Sequence, residues 1–189
     1  MTTSRPTSFL ACLVLLVALV SGCTSLSGTG DKGYITGDGQ VSLVPVEERG
    51  EPVSISGETL DGEQLSLDEL RGKVVVVNVW WSACPPCRAE QPELNEVAEE
   101  VAGSAEFVGL NIRDLSPDAP QAYARSFEVP YPSIYDPDSR HLLALGLTAR
   151  TIPATLVLDA EGRITATVRG RVPSKGTLAD LIEDAAADA

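Results

Sequence analysis

Hydrophobic and polar positions change rhythm several times along this chain, and each change predicts an element. Val53-Ser54-Ile55-Ser56 and Gln64-Leu65-Ser66-Leu67 alternate with period two, and Asp61-Gly62 between them reads as a hairpin turn. Ser66 and Glu69 have the spacing of a capping box for one short helical turn, which Gly72 ends. Lys73 to Trp80 (KVVVVNVW) then runs without alternation, as expected of a strand buried on both faces. After Pro85, apolar residues at Leu94, Val97, Ala98 and Val101 recur at helical spacing. Pro92 falls early enough in that helix to predict a kink rather than a break. Glu106 to Ile112 reads as a second buried strand, and Ser116-Pro117 resembles the N-cap and first residue of a helix reaching about Phe127. A short strand near Ser133 to Tyr135 and a short helix from Arg140 to Leu145 follow. Thr151-Ile152-Pro153 leads into an apolar strand, Ala154 to Leu158, and Asp159 to Gly162 turns the chain into Arg163 to Val168. A helix with Leu178, Leu181 and Ile182 on one face closes the pattern. Strands alternating with helices and ending in a hairpin and a helix predict an α/β sandwich with a mixed central sheet.

The front of the chain follows another logic. Phe9 to Val20 is an apolar run of about a dozen residues, where a membrane-spanning helix needs roughly 20. With Arg5 before it and small residues after it, the run reads as a secretory signal peptide. Val20-Ser21-Gly22-Cys23 resembles the lipobox of bacterial lipoproteins. That resemblance implies cleavage before Cys23 and a diacylglycerol on its sulfur; an ordinary signal peptide or an uncleaved anchor is the alternative. The expected organisation is a signal peptide over 1–22, a tether over 23–50 and a folded domain over 51–189. Thr24 to Gly39, rich in Gly, Ser, Thr and Asp, has tether composition. The domain is then expected on the extracytoplasmic face of the bacterial cell membrane, lipid-anchored, where disulfides persist.

Charge narrows the partners. The chain has 14 Lys and Arg against 27 Asp and Glu, a net −13, and losing a leader that contains Arg5 makes it one unit more negative. Nucleic acid needs a basic footprint and is excluded as a partner. A basic protein partner is the sharper reading of that charge, and solubility of an exported domain the plainer one.

The four cysteines carry the candidate chemistry. Cys12 would leave with the signal peptide and Cys23 would carry lipid, so Cys84 and Cys87 remain as protein thiols. A structural zinc site needs four ligands, which the single histidine, His141, cannot complete. A c-type haem needs histidine directly after the second cysteine, where Arg88 stands. An iron–sulfur cluster needs more cysteines. No metal and no separate cofactor is therefore expected. The pair lies where a buried strand gives way to a helix, so Cys84 sits where helix N–H groups stabilise a thiolate, the attacking species in disulfide exchange. A purely structural disulfide is the alternative, although closing so short a loop restrains the unfolded chain little.

The run Gly72 to Trp80, followed by Cys84-Pro85-Pro86-Cys87, resembles the thioredoxin superfamily, and specifically the TlpA/ResA-like extracytoplasmic thiol–disulfide oxidoreductases. The likeness extends over roughly Glu51 to Ala187 and includes Leu60 to Lys73 and Thr151 to Ile164 (TIPATLVLDAEGRI). It implies a thioredoxin-like three-layer α/β/α sandwich with a mixed central sheet and an N-terminal β-hairpin extension. It also implies a redox-active Cys84–Cys87 disulfide, with Cys84 attacking and Cys87 resolving. Pro153 matches the family's cis-proline, beside which the Ile152 backbone would pair with an extended client segment. Glu90 matches an active-site glutamate that tunes the thiols or moves a proton; a solvated helix glutamate is the alternative. Trp81 would help shape the client-facing surface. The family's expected partners are exported thiol or disulfide clients such as apocytochrome c, and a membrane thiol carrier that supplies electrons. The expected role is reduction of client disulfides.

Three positions depart from the family pattern. Ala83 stands where many relatives carry a tryptophan, Asn78 stands where ordinary thioredoxins bury an aspartate, and Pro85-Pro86 replaces Gly-Pro. Asn78 removes any proton relay through that aspartate, and the changed dipeptide makes thioredoxin's roughly −270 mV a poor guide. An oxidant of exported proteins, a thiol peroxidase and a non-enzymatic binding module with a static disulfide are the competing functions. Val77 and Trp81 stand where peroxidases of this fold place proline and a hydroxyl.

Overall fold

Strand β4 (Val74–Trp80) is buried at every residue, and the rest of the domain is arranged to make that possible. The computed structural model describes residues 40–187. Around β4 lie β5 (Ala105–Ile112) and β6 (Ser133–Asp136), parallel to it in succession, and β7 (Ala154–Leu158), antiparallel. Strands β8 (Ile164–Arg169) and β1 (Val41–Leu43) extend that side, each antiparallel to its neighbour, giving the order β1-β8-β7-β4-β5-β6. The hairpin of β2 (Ser56–Glu58) and β3 (Gln64–Ser66) forms a separate two-stranded sheet.

Side chains of β4 alternate between two cores, as the period of a strand demands. Val74 and Val76 pack with Leu94 and Val97 of α1 (Pro85–Glu100) and with Leu178, Leu181 and Ile182 of α3 (Lys175–Ala187). Helix α2 (Asp118–Ser126) lies beside α1, with Tyr123 stacked on Trp80 at 4.4 Å. Val75, Val77 and Val79 face the other way, onto Ile55, Leu67, Leu142 and Leu145. That second layer consists of 3₁₀ turns at Leu67–Leu70 and Arg140–Leu142 and the extended segment around Val53 and Ile55. The mixed-sheet α/β sandwich and the hairpin extension are therefore as expected, with turns in the outer layer opposite α1, α2 and α3. Helix α1 continues through Pro92, which has no N–H for the Arg88 carbonyl.

The structure moves several expected boundaries. Residues 40–50, expected within the tether, belong to the domain. β1 pairs with β8 in the register Val41↔Val168, and Arg49 reaches the carboxylate of Asp159 at 3.2 Å. Val41 contributes about 1.5–3 kcal/mol by burial. Breaking a buried ion pair from one side costs about 3–5 kcal/mol, so Arg49 is the stronger anchor. The first hairpin strand begins at Ser56 because Val53 and Ile55 pair singly, Val53 N–H to Gly162 and Ile55 C=O to Leu67, rather than in a ladder. Ser66 does cap the short turn, accepting from Asp68 N–H at 3.3 Å. The helix expected from Pro117 starts at Asp118, and the one expected over Arg140 to Leu145 is a single 3₁₀ turn. The expected signal peptide and the Cys23 lipid site lie outside the described residues.

Candidate active site

The Cys84–Cys87 disulfide is formed and sits at the first turn of α1, with Cα atoms 5.3 Å apart. Cys84 is the N-cap, and its Sγ accepts the Cys87 N–H at 3.2 Å. Pro85 and Pro86 suit the first helical positions, where an N–H has no intrahelical partner. They also leave the first turn without two of its donors, so the Cys87 N–H is the hydrogen-bond donor that α1 offers the sulfur. Both cysteines are buried, at 2% and 1% exposure, whereas Ala83, Pro85 and Pro86 are exposed.

Sequence-distant residues close around the pair. Leu60, Trp80 and Tyr123 form one buried cluster with the two cysteines, and Trp81 and Ile152 pack half-buried against it. The Ile152–Pro153 peptide is cis, and Pro153 is buried, its carbonyl accepting the Gly170 N–H at 2.8 Å. Of the residues singled out in the sequence, Cys84, Cys87, Trp81 and Ile152 thus share one locus, with Pro153 adjoining.

Glu90 lies one turn beyond Cys87, on the same face of α1. It is 1% exposed and so is not a solvated helix glutamate. Its Oε2 accepts the Val172 N–H at 3.0 Å and its Oε1 accepts the Asn78 side-chain amide at 3.3 Å. Burial pushes its carboxyl up to about 7, and the Val172 and Asn78 hydrogen bonds only partly oppose that shift. Asn78 also donates to Thr155 Oγ1 at 3.1 Å. The buried acid of the site thus stands on α1, with Asn78 of β4 as its partner.

Further groups hold the site in shape. Asp114, just past β5, accepts Ser82 N–H at 2.8 Å, Ser82 Oγ–H at 2.6 Å and the Asn111 amide at 2.8 Å, fixing the loop that delivers Cys84. Arg113 lies over the Trp81 ring at 5.7 Å and donates to the Ala149 carbonyl. Tyr123 OH is 3.2 Å from the Cys87 carbonyl and 3.1 Å from Gln91 Oε1, with one proton to give. Gly109 is required beneath Trp80, since a Cβ there would stand 2.8 Å from the indole nitrogen and 2.0 Å from Ser133 Oγ. Asn111 and Asp114 aside, these contacts join residues about 24 to 36 apart, and no local pattern announces them. The polar Asn78 inside an apolar run was the legible signal.

Comparison with known proteins agrees with this geometry. The family model described as Redoxin matches residues 47–183. The thiol:disulfide interchange protein DsbE of Allochromatium vinosum is 39% identical over 103 residues, covering 54% of this chain and 54% of that protein. The chain thus spans about half the length of that curated relative. The thiol-disulfide oxidoreductase ResA of Halalkalibacterium halodurans is 28% identical over 131 residues, covering 67% of this chain and 68% of its own. Among solved structures, a DsbF homologue from Corynebacterium diphtheriae superposes with a TM-score of 0.74 at 34% identity, over 78% of this chain and 94% of that one.

Proposed function

Because this chain belongs to the redoxin family, as a TlpA/ResA-like thiol–disulfide oxidoreductase with a thioredoxin-like fold, we propose that it reduces disulfides of exported proteins. We place it at the extracytoplasmic face of the cell membrane, tethered through lipid on Cys23. One observation carries the reading. A Cys84–Cys87 disulfide at a helix N-terminus shares a cluster with the half-buried Trp81 and Ile152, and a buried carboxyl, Glu90, stands one turn behind it.

In the reduced protein the Cys84 thiolate attacks one sulfur of the client disulfide. The second client sulfur leaves as a thiolate and takes a proton from solvent. Cys87, deprotonated with Glu90 as acceptor, then attacks Cys84 Sγ, the mixed disulfide breaks, and the client's remaining sulfur departs as a thiolate. Two electrons pass to the client and the Cys84–Cys87 bond closes. The Ile152 backbone beside cis-Pro153 supplies the edge on which an extended client segment lies. A carboxyl near the pair disfavours thiolates there, which supports electron donation over electron acceptance. Electrons return from a membrane thiol carrier, and apocytochrome c is the client class that the family suggests.

Cys87→Ala should hold clients on Cys84 as mixed disulfides, visible as thiol-reversible adducts. The same protein with Cys84→Ser should hold none, and equal yields from both variants would remove the reading. The direction is tested by the reduction potential. A value near or below roughly −270 mV fits a reductant, whereas one near roughly −120 mV makes the protein an oxidant.

A further inference from the structure

The charges of this acidic chain are unevenly distributed. Away from the disulfide, cations are paired with carboxylates. Arg49 and Arg163 hold Asp159, Arg71 pairs with Asp68, Lys73 with Glu106, Arg140 with Asp138, and Lys175 with Glu96 and Glu100. Arg88, Arg113, Arg150 and Arg169 are exposed, and among the described residues no carboxylate lies within ion-pair distance of any of them. All four lie at the end of the sheet that carries the disulfide. Arg88 follows Cys87, Arg113 follows β5, Arg150 precedes Ile152, and Arg169 stands opposite Ala154 on β8. Arg125, on the last turn of α2, is the remaining cation of this kind among the described residues.

Two of these arginines are fixed by groups that leave their charge uncompensated. Arg88 lies over the Tyr123 and Phe127 rings, at 5.5 and 5.0 Å, and donates to the Ser82 carbonyl at 3.3 Å. Arg113 lies over Trp81 and donates to the Ala149 carbonyl. A guanidinium held this way keeps outward donors in the fork geometry that suits a carboxylate. The four arginines outnumber the three acids nearby. Asp114 is occupied by Ser82 and Asn111, Glu90 is buried, and Asp118 is exposed on the first turn of α2. Beside the disulfide, a groove of about 430 Å³ opens between Ser82-Ala83 and α2, with Arg88 on its wall. Ala83 leaves that space clear.

We propose that this arginine-ringed face selects clients whose cysteines are flanked by aspartate or glutamate, an acidic polypeptide segment lying between Arg88 and Arg113. The proposal rests on the oxidoreductase reading and adds the class of client. It reverses what the net charge of −13 suggests, because a partner at close range meets the local field before the global one.

The test uses the full chain, pre-reduced in neutral detergent, and three peptides that each close one disulfide and differ only in flanks of aspartate, serine or lysine. The aspartate-flanked peptide should be reduced about 10-fold faster than the lysine-flanked one at low ionic strength, and the ratio should fall to within about 2-fold in about 0.5 M salt. In Arg113→Gln/Arg150→Gln the aspartate-flanked peptide's low-salt rate should fall toward that of the serine-flanked one. Equal rates for all three peptides, or a preference for lysine flanks, would overturn the acidic-client inference and leave the oxidoreductase reading standing. Reduction of none of them would overturn both. A double variant that loses binding to phosphatidylglycerol vesicles but keeps the peptide ratio would make the patch a membrane contact and sink the proposal.

Discussion

Two of the domain's buried carboxylates lie toward opposite ends of β4, and their surroundings could hardly differ more. Asp159, at the β7–β8 turn, is 0% exposed and meets Arg49 at 3.2 Å, Arg163 Nε at 2.9 Å and the Arg163 N–H at 2.8 Å. Glu90, behind the disulfide, is 1% exposed and among the described residues accepts from two neutral donors, Val172 N–H and the Asn78 amide. The first is neutralised by fixed cations and ties the ends of three segments together. The second is left where its proton is easily held and easily lost near neutral pH. Burial alone does not mark a carboxylate as functional; the company it keeps does.

The difference can be broken from either side. Asp159→Ala would remove the buried carboxylate that Arg49 and Arg163 share, and about 3–5 kcal/mol should be lost in denaturant unfolding. A loss below about 1 kcal/mol would mean that the pair is dispensable and that the two sites are more alike than their geometry suggests. Glu90 should show itself through pH instead. Its folded carboxyl titrates near 7 against an ordinary value of 4.5, so the native state holds the proton more tightly than the unfolded chain. Its contribution to stability therefore falls as pH rises from about 4.5 to about 7, by an amount on the order of 3 kcal/mol. Glu90→Gln should remove that slope, measured as the difference between variant and parent unfolding free energies across this window. An unchanged slope would place the titration elsewhere. Tyr123→Phe should give the smallest effect, about 1 kcal/mol by thermal unfolding, because one neutral hydrogen bond shared between the Cys87 carbonyl and Gln91 is lost. A much larger loss would show that the Tyr123 hydroxyl organises the first turns of α1.

What was legible in the sequence follows the same division between local and distant causes. β4, β5 and α1 were readable because continuous β-branched runs and a helical apolar stripe are properties of neighbouring residues. The hairpin was readable from Asp61-Gly62, although its first strand lies three residues later than the alternation suggested. β1 was missed because Val41 to Leu43 is too short to carry a period, and it is a strand only through β8, more than a hundred residues away. The turns opposite α1 were overestimated as helix because Leu142, Leu145 and Leu147 are buried without a full helical turn to repeat. Within the site, the cysteines, Glu90 and the Ile152-Pro153 step stood in recognisable surroundings. The hold of Asp114 on Ser82 and the perch of Arg113 on Trp81 did not, since each depends on how the loop after β5 returns past the loop after β4.

The hairpin has a consequence for how copies of this domain meet. Thr59 bridges to Ile134, and the Leu60 N–H reaches the Ser133 carbonyl at 2.9 Å, so β6 is covered along the border where another chain would otherwise add a strand. The opposite border is β1, only three residues long. A sheet with one margin roofed and the other cut short offers little template for fibril growth. The hairpin is thus a colloidal safeguard as much as a wall of the site.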